Sequence, residues 1–275
     1  MRTRRRSGIW IYAALLALVA VMLYPIVFAA GNSIKNQKEV YGDVLSLVPK
    51  EPALENYLTI TARISYGRVV MNTLTIASIV MAFKVLTSFL AAYAFVFLRF
   101  PGKNVLYFIL ISTMFIPFTV TMIPNYITIS RMGLSDNICG VLMPQLSDAM
   151  GIFLLRQQMR SIPVSLIEVA RLEKTSHRKI MLTIVLPIIR PAVISTAIIF
   201  FINSWNEYVW PNLILKSKEN FTLSLALQQF VGAEGSPDMA ISMAMATATM
   251  IIPLVLFAAC QQYIMSTFAN SGIKG

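Results

Sequence analysis

Three ionisable side chains, Lys84, Asp148 and Glu207, stand inside stretches of sequence that are otherwise apolar enough to cross a bilayer. A charge at mid-membrane costs about 2.5–3.5 kcal/mol on insertion scales, so each must face protein or water rather than lipid. Each is therefore a candidate for a solute path. The alternative is an ion pair of Lys84 with Asp148 or Glu207 that only packs the bundle. Asp148 lies in "PQLSDAMG", where a break in the helix is a further possibility. Next to Glu207, the residues Asn203, Trp205, Asn206 and Tyr208 combine hydrogen-bonding groups with aromatic faces. That mixture suits sugar hydroxyls and C–H faces, although Trp and Tyr also anchor helices at membrane interfaces.

Other chemistries find no support. The chain has a single histidine and two cysteines, Cys139 and Cys260, which lie in or beside different apolar stretches without a CxxC pair. Neither a zinc site nor a disulfide framework is indicated, and the cysteines read as small packing residues. "PGKN" ends in the Gly-Lys of a phosphate loop but lacks its first glycine and its Ser/Thr. No cofactor is expected on this chain.

The elements that must position these residues are membrane helices. Of 275 residues, 57% are hydrophobic and only 13% charged, which marks an integral membrane protein. A window of about 19 residues picks out six spans, at 9–30, 69–97, 106–129, 137–155, 188–213 and 240–268. Their continuous apolar character predicts α-helices rather than barrel strands, which would alternate. The second is longer than a bilayer requires, so it tilts or emerges, and Pro101 and Gly102 mark its end. "MRTRRRSG" before the first span has the parts of a secretory signal, but the apolar run is span-length and a retained helix is expected. The methionines of "ISMAMATATM" in the sixth span read as adaptable packing among small residues.

Charge sets the orientation. With the N-terminus in the cytoplasm, the cytoplasmic segments hold fourteen basic residues against Glu168 and Glu173, whereas the outer segments hold eight of each sign. The net charge of +11 is thus a topology signal rather than a nucleic-acid footprint, and both termini are expected inside. The layout is a cytoplasmic N-terminus (1–8), a six-helix domain (9–268) with an extracytoplasmic segment at about 31–68, and a tail (269–275).

One charged stretch leaves the membrane. The cytoplasmic loop at about 156–187 contains "EVARLEKTSHRKIMLTIVLP". Pro163 suits the first turn of a helix whose apolar face would hold Leu166, Ile167, Ala170 and Leu172, and Ser176 can cap a second helix running through Ile180 and Leu182. Pro187 and Pro191 mark the return to the membrane. A small amphipathic helix–turn–helix of this kind suits a groove on a soluble partner; the alternative is a solvated loop obeying the positive-inside rule.

Glu168, Ala170, Ile184, Leu186 and Pro187 stand at the spacing of the EAA loop, and on these residues the chain resembles membrane subunits of ATP-binding-cassette importers. Val169 replaces the usual alanine, and Glu173, Lys174 and Thr175 stand where Asp-Gly-Ala is common. If the turn needs a left-handed residue, Lys174 costs roughly 1–2 kcal/mol more there than glycine. "SIKNQKEVYG", "LAAYAFVFLRFPGKN", "IFLLRQQMRSIP", "NSWNEYVWP" and the terminal "GIKG" extend the likeness to the carbohydrate-uptake branch over nearly the whole chain. The resemblance implies an all-α type I importer fold. It further implies a related second membrane subunit, a dimeric cytoplasmic ATPase that carries the ATP and Mg, and an extracytoplasmic solute-binding protein. By the same resemblance Glu168, Val169, Ala170, Arg171, Leu172, Glu173, Lys174 and Thr175, with Ile184, Leu186 and Pro187, dock the ATPase, and the tail can approach it. The expected cargo is a sugar or oligosaccharide. A buried Lys84 favours the alternative of sn-glycerol 3-phosphate or a glycerophosphodiester. An ion-coupled secondary transporter is the competing class; it predicts internal inverted repeats and discontinuous helices, and the sequence has no convincing repeat of that kind.

Overall fold

The computed structural model describes residues 3–43, 46–231 and 238–272, and the described residues contain helices and no strand. The chain falls into two compact units, residues 1–66 with 226–251, and residues 67–225 with 252–275.

In the first unit, α1 (Thr3–Ser33) is an apolar helix with Pro25 in its interior, and its membrane-length stretch Trp10–Ser33 is largely exposed. The segment that follows is held by polar contacts rather than by a large core. The ammonium of Lys35 is buried and donates to the carbonyls of Asp43 (3.3 Å) and Ser46. The Asn56 side chain donates to the carbonyls of Ser33 and Lys35, both at 2.8 Å. Such pairing is obligatory for buried polar groups, and it folds α2 (Gln37–Gly42, capped by Asn36) and α3 (Glu55–Arg63) into one small cap.

The second unit contains most of α4 (Tyr66–Phe97), a long unbroken helix. The predicted third, fourth and fifth spans are not continuous. The third is α5 (Lys103–Ser112) and α6 (Phe118–Arg131), joined by a short 3₁₀ turn and bent by 97°. Pro117 causes the break: it has no N–H to donate and drives Ile116 to an extended conformation (φ −80°, ψ 114°). The fourth is α7 (Ile138–Leu142), a 3₁₀ turn through Pro144, and α8 (Ala149–Met159), bent by 44° at an extended Asp148.

After α9 (Val164–Leu172), α10 (His177–Ile180) runs through a π-type turn into α11 (Leu186–Ile188). The chain then bends by 82° at Ile189, between Pro187 and Pro191, into α12 (Arg190–Asn206). The predicted fifth span, 188–213, therefore ends early: α12 stops at Asn206 and a separate α13 (Val209–Ile214) follows. Beyond it come α14 (Leu223–Val231) and α15 (Met239–Gly272), the latter with Pro253 inside. Among the described residues three helices are long and apolar enough to cross a membrane, or up to six spans if each bent pair counts as one. Cys139 is exposed rather than packed as expected, and Cys260 is half-buried; both are free. The final residues of the tail lie outside the described residues.

Candidate functional site

The mid-membrane charges meet at a helix break. Lys84 on α4 places Nζ 3.1 Å from Asp148 Oδ2 and 5.2 Å from the centre of the Phe200 ring, so its partner is Asp148 and not Glu207. The other Asp148 oxygen accepts the N–H groups of Met150 (2.9 Å) and Gly151 (3.2 Å), capping α8. A single carboxylate thus serves the orphan donors of a broken span and the nearby cation, as a dry environment requires. Two hydroxyls on the same face of α4 approach the break: Thr87 Oγ1, 2.8 Å from Phe83 O of its own helix, is 3.2 Å from Leu146 O, and Ser88 Oγ is 3.5 Å from Asp148 O, which also accepts the N–H of Ile152 (3.2 Å). Lys84, Thr87 and Ser88 are spaced i, i+3, i+4, a polar stripe that the sequence carries openly. α8 lies close enough that a Cβ on Gly151 would collide with Ser88 Oγ and the Phe200 ring.

Beside this pair is a cleft of about 330 Å³ lined by Lys84, Thr121, Asn125, Gln145, Glu207 and Trp210 among others. Glu207 Oε1 accepts the backbone N–H of Trp210 at 3.2 Å. Trp210 is 2% exposed and its indole Nε1 is buried without a hydrogen-bond partner. The predicted polar cluster is divided. Glu207 enters the cleft, whereas Trp205 is fully buried and stacked on Phe201 with ring centres 5.7 Å apart. Asn203 and Asn206 are exposed on α12, and Tyr208 is half-buried. Trp210, Asn125 and Gln145 were missed by sequence reasoning, because they come from three spans whose juxtaposition depends on the breaks. With Lys84 offset by Asp148, the cleft presents neutral donors and acceptors and one further carboxylate. Among the described residues no group of His, Cys, Asp or Glu could hold a metal ion.

The cytoplasmic loop has two sides. Ile167 and Ala170 of α9 are buried in a core with Tyr93, Phe97, Leu155, Met159 and Ile180, against which Ile184 and Leu186 also pack. Leu166, Val169 and Leu172, spaced by three, form an exposed apolar ridge that reaches 83% exposure at Leu172. Glu168, Arg171, Glu173, Lys174 and Pro187 are exposed, and Thr175 is half-buried.

α9 ends in a Schellman turn. The N–H of Lys174 donates to Arg171 O (2.9 Å), and that of Thr175 donates to Ala170 O (3.0 Å). Lys174 has φ 57°, so the left-handed backbone anticipated at this position is present with a lysine in it. Ser176 accepts the N–H of Lys179 at 3.4 Å, the expected cap of α10. Two polar contacts tie the loop to α4: Tyr93 OH lies 2.9 Å from His177 Nδ1, and Arg171 donates to Phe97 O at 2.6 Å. The single histidine, set aside by the sequence reading, is thus a structural anchor 84 residues from its partner.

A helical membrane subunit with broken spans, a polar internal cleft and an externally presented helix–turn–helix belongs with solute-translocating permeases. Residues 84–268 match the family model described as "Binding-protein-dependent transport system inner membrane component", and the chain belongs to that family. Membership assigns it to the membrane components of ABC importers, so the helix breaks carry no weight for the secondary-transporter class.

Among its relatives is the "sn-glycerol-3-phosphate transport system permease protein UgpE" of Escherichia coli O1:K1 / APEC, 27% identical over 270 residues and 96% of both chains. The protein of the same name from Brucella abortus (strain 2308) is 28% identical over 253 residues, 89% of each. Among solved structures, a chain of "a bacterial ABC transporter involved in the import of the acidic polysaccharide alginate" superposes with a TM-score of 0.85 at 24% identity, covering 96% of this chain and 98% of that one. Another, from an alginate ABC transporter "in complex with alginate pentasaccharide-bound periplasmic protein", gives 0.64 at 13% identity with 94% of each chain covered. The architecture is that of an ABC importer permease.

Proposed function

We propose that this chain is one of two related permease subunits of an ATP-driven importer, and that it passes a carbohydrate-type solute across the cytoplasmic membrane with both termini inside. An extracytoplasmic binding protein delivers the solute, and ATP and Mg are handled by a separate ATPase dimer. The observation that carries this reading is the two-sided α9. Its ridge of Leu166, Val169 and Leu172 faces outward for a groove on the ATPase, while Ile167 and Ala170 lock it into the core beneath α4 and α8. Closure of the ATPase around ATP would move α9 as a lever, and the Tyr93–His177 and Arg171–Phe97 contacts would carry that movement into α4. Such a switch needs only that ATP bind the two states differently.

The test is reconstitution with the ATPase and binding protein. Glu168→Ala or Leu172→Glu should abolish ATP-coupled uptake and ATPase copurification while insertion is unchanged. Normal assembly and transport in both variants would refute the docking role.

The names of the relatives favour a phosphorylated polyol within this reading, sn-glycerol 3-phosphate or a diester. A phosphate would meet Lys84 by taking the place of Asp148. Lys84→Met should then lower stimulation by sn-glycerol 3-phosphate about tenfold, the value of one charge-assisted hydrogen bond. Equal stimulation in both proteins would leave Lys84 with only its packing role.

A further inference from the structure

A second polar hollow, of about 500 Å³, lies at the cytoplasmic end of the second unit between the end of α4, the start of α5, the end of α8 and α9. Five cations line it, Arg99, Lys103, Arg156, Arg160 and Arg171, against one carboxylate, Glu168. Two of the five are accounted for by backbone. Lys103 donates to the carbonyls of Val96 (3.2 Å) and Leu98 (2.8 Å), and Arg171 to that of Phe97, so together they serve the end of α4. Arg99, Arg156 and Arg160 have no carboxylate within 4.0 Å among the described residues.

Arg156 is also oriented. Its guanidinium carbon lies 3.8 Å from the centre of the Tyr107 ring, and its Nε is buried without a hydrogen-bond partner, as is the Tyr107 hydroxyl. The positive-inside rule accounts for basic residues on this side, but it does not require a guanidinium held by an aromatic ring with an unused donor beneath it.

We infer that this hollow binds a phosphate-bearing anion, and specifically the headgroup of an anionic phospholipid of the inner leaflet. The cavity is of ligand size, and basic pockets between helices on the cytoplasmic side are a recurrent form of lipid headgroup site. Lipid rather than free phosphate is favoured by what adjoins it. A neighbouring hollow of about 380 Å³ shares Arg99 and Lys103 and opens onto Val105. Val105, Phe108 and Ile109, all exposed and spaced i, i+3, i+4, continue along α5 as an apolar track for acyl chains. The site rests on the proposed orientation, and it shares α9 with the proposed ATPase contact. The two overlap at Glu168 and Arg171, which line the hollow, whereas Leu166, Val169 and Leu172 do not. A bound headgroup would therefore brace the base of α9 without occupying the docking ridge.

The test uses the full chain purified in detergent. Retained lipid is measured by native mass spectrometry, and melting temperature is recorded after addition of phosphatidylglycerol, phosphatidylcholine or inorganic phosphate. Phosphatidylglycerol should be retained and should raise the melting temperature, with no comparable effect of phosphatidylcholine. Each arginine removed should weaken retention about fivefold, so Arg156→Gln with Arg160→Gln should release most of the lipid. Arg156→Lys with Arg160→Lys should keep it.

Equal retention by wild type and the glutamine pair, or equal loss in the lysine pair, would overturn the proposal. Equal protection by inorganic phosphate would show a small-anion site instead and overturn the lipid assignment. Protection of these arginines only by the assembled ATPase, with no lipid retained, would make the hollow a protein interface and likewise overturn it. Because lipid retention is read on the chain alone, this result is independent of whether ATP-coupled uptake is observed.

Discussion

The turn after α6 and the turn after α9 have the same backbone and different residues. After α6, Gly133 N–H donates to Ser130 O (3.0 Å) and Leu134 N–H to Ile129 O (3.1 Å), the same Schellman pattern that closes α9. The left-handed position is Gly133 (φ 71°) in one and Lys174 (φ 57°) in the other. Their surroundings differ in the opposite sense. The Gly133 turn leads into Asp136, whose side chain accepts the N–H groups of Lys216 (2.9 Å) and Ser217 (3.0 Å), the Asn220 amide (3.1 Å) and the Ser217 hydroxyl. The Lys174 turn is followed by the long cap bond that Ser176 accepts and is flanked by the Tyr93–His177 and Arg171–Phe97 contacts. The clamp does not spare its own region a left-handed side chain, because Asp136 itself has φ 54°, close to the 57° of the exposed Lys174. A left-handed aspartate is thus held by the hydrogen bonds its own side chain accepts, whereas Lys174 keeps the same backbone on an exposed surface.

Breaking the clamp should have the largest effect. Asp136→Ala removes several charge-assisted hydrogen bonds joining the loop before α7 to the loop after α13, and should cost about 2–4 kcal/mol, read as a fall in melting temperature. Gly133→Ala is a clean measure of the backbone alone, because a Cβ there meets nothing within 4 Å. It should cost about 1–2 kcal/mol. Lys174→Gly should move the other way, raising stability by about 1 kcal/mol at most, since glycine also gains freedom in the unfolded chain. A destabilised Lys174→Gly would show that the lysine makes a contact outweighing its strain.

The smallest effect is the pH response. The hydrogen bonds from Ser217, Lys216 and Asn220 hold the Asp136 carboxyl well below its ordinary value. Its contribution is therefore fully present above the unfolded carboxylate range and is lost as pH falls through the depressed folded value. Stability should be flat through neutral pH and fall in acid, and Asp136→Asn should flatten that acid limb. An unchanged acid limb in the variant would remove Asp136 as its source.

Much of this was legible in the chain. The six apolar blocks, the Ser176 cap, the EAA-like spacing and the left-handed demand at Lys174 are local, and local spacing is what a sequence displays. Lys84 stood out in the second span, whereas Thr87 and Ser88, which share its face of α4, were not picked out. What that face meets could not be read, because Leu146 and Asp148 come to it only when the broken fourth span packs against α4. The predicted cluster at 203–208 failed in part for a related reason: α12 ends at Asn206, so Trp205 turns into the core while Glu207 and Trp210 face the cleft.

Sequence alone determined that the protein lives in a membrane, and it carried the expectations of a basic cytoplasmic side and of one amphipathic loop outside the bilayer. These follow from composition and period, which water and lipid read without reference to the rest of the fold. Tertiary structure decided which charge pairs with which, where three spans break, and which face of α9 is left exposed. Those outcomes depend on satisfying buried backbone groups across helices, and a hydrogen bond between residues sixty or more positions apart exists only once the helices have packed.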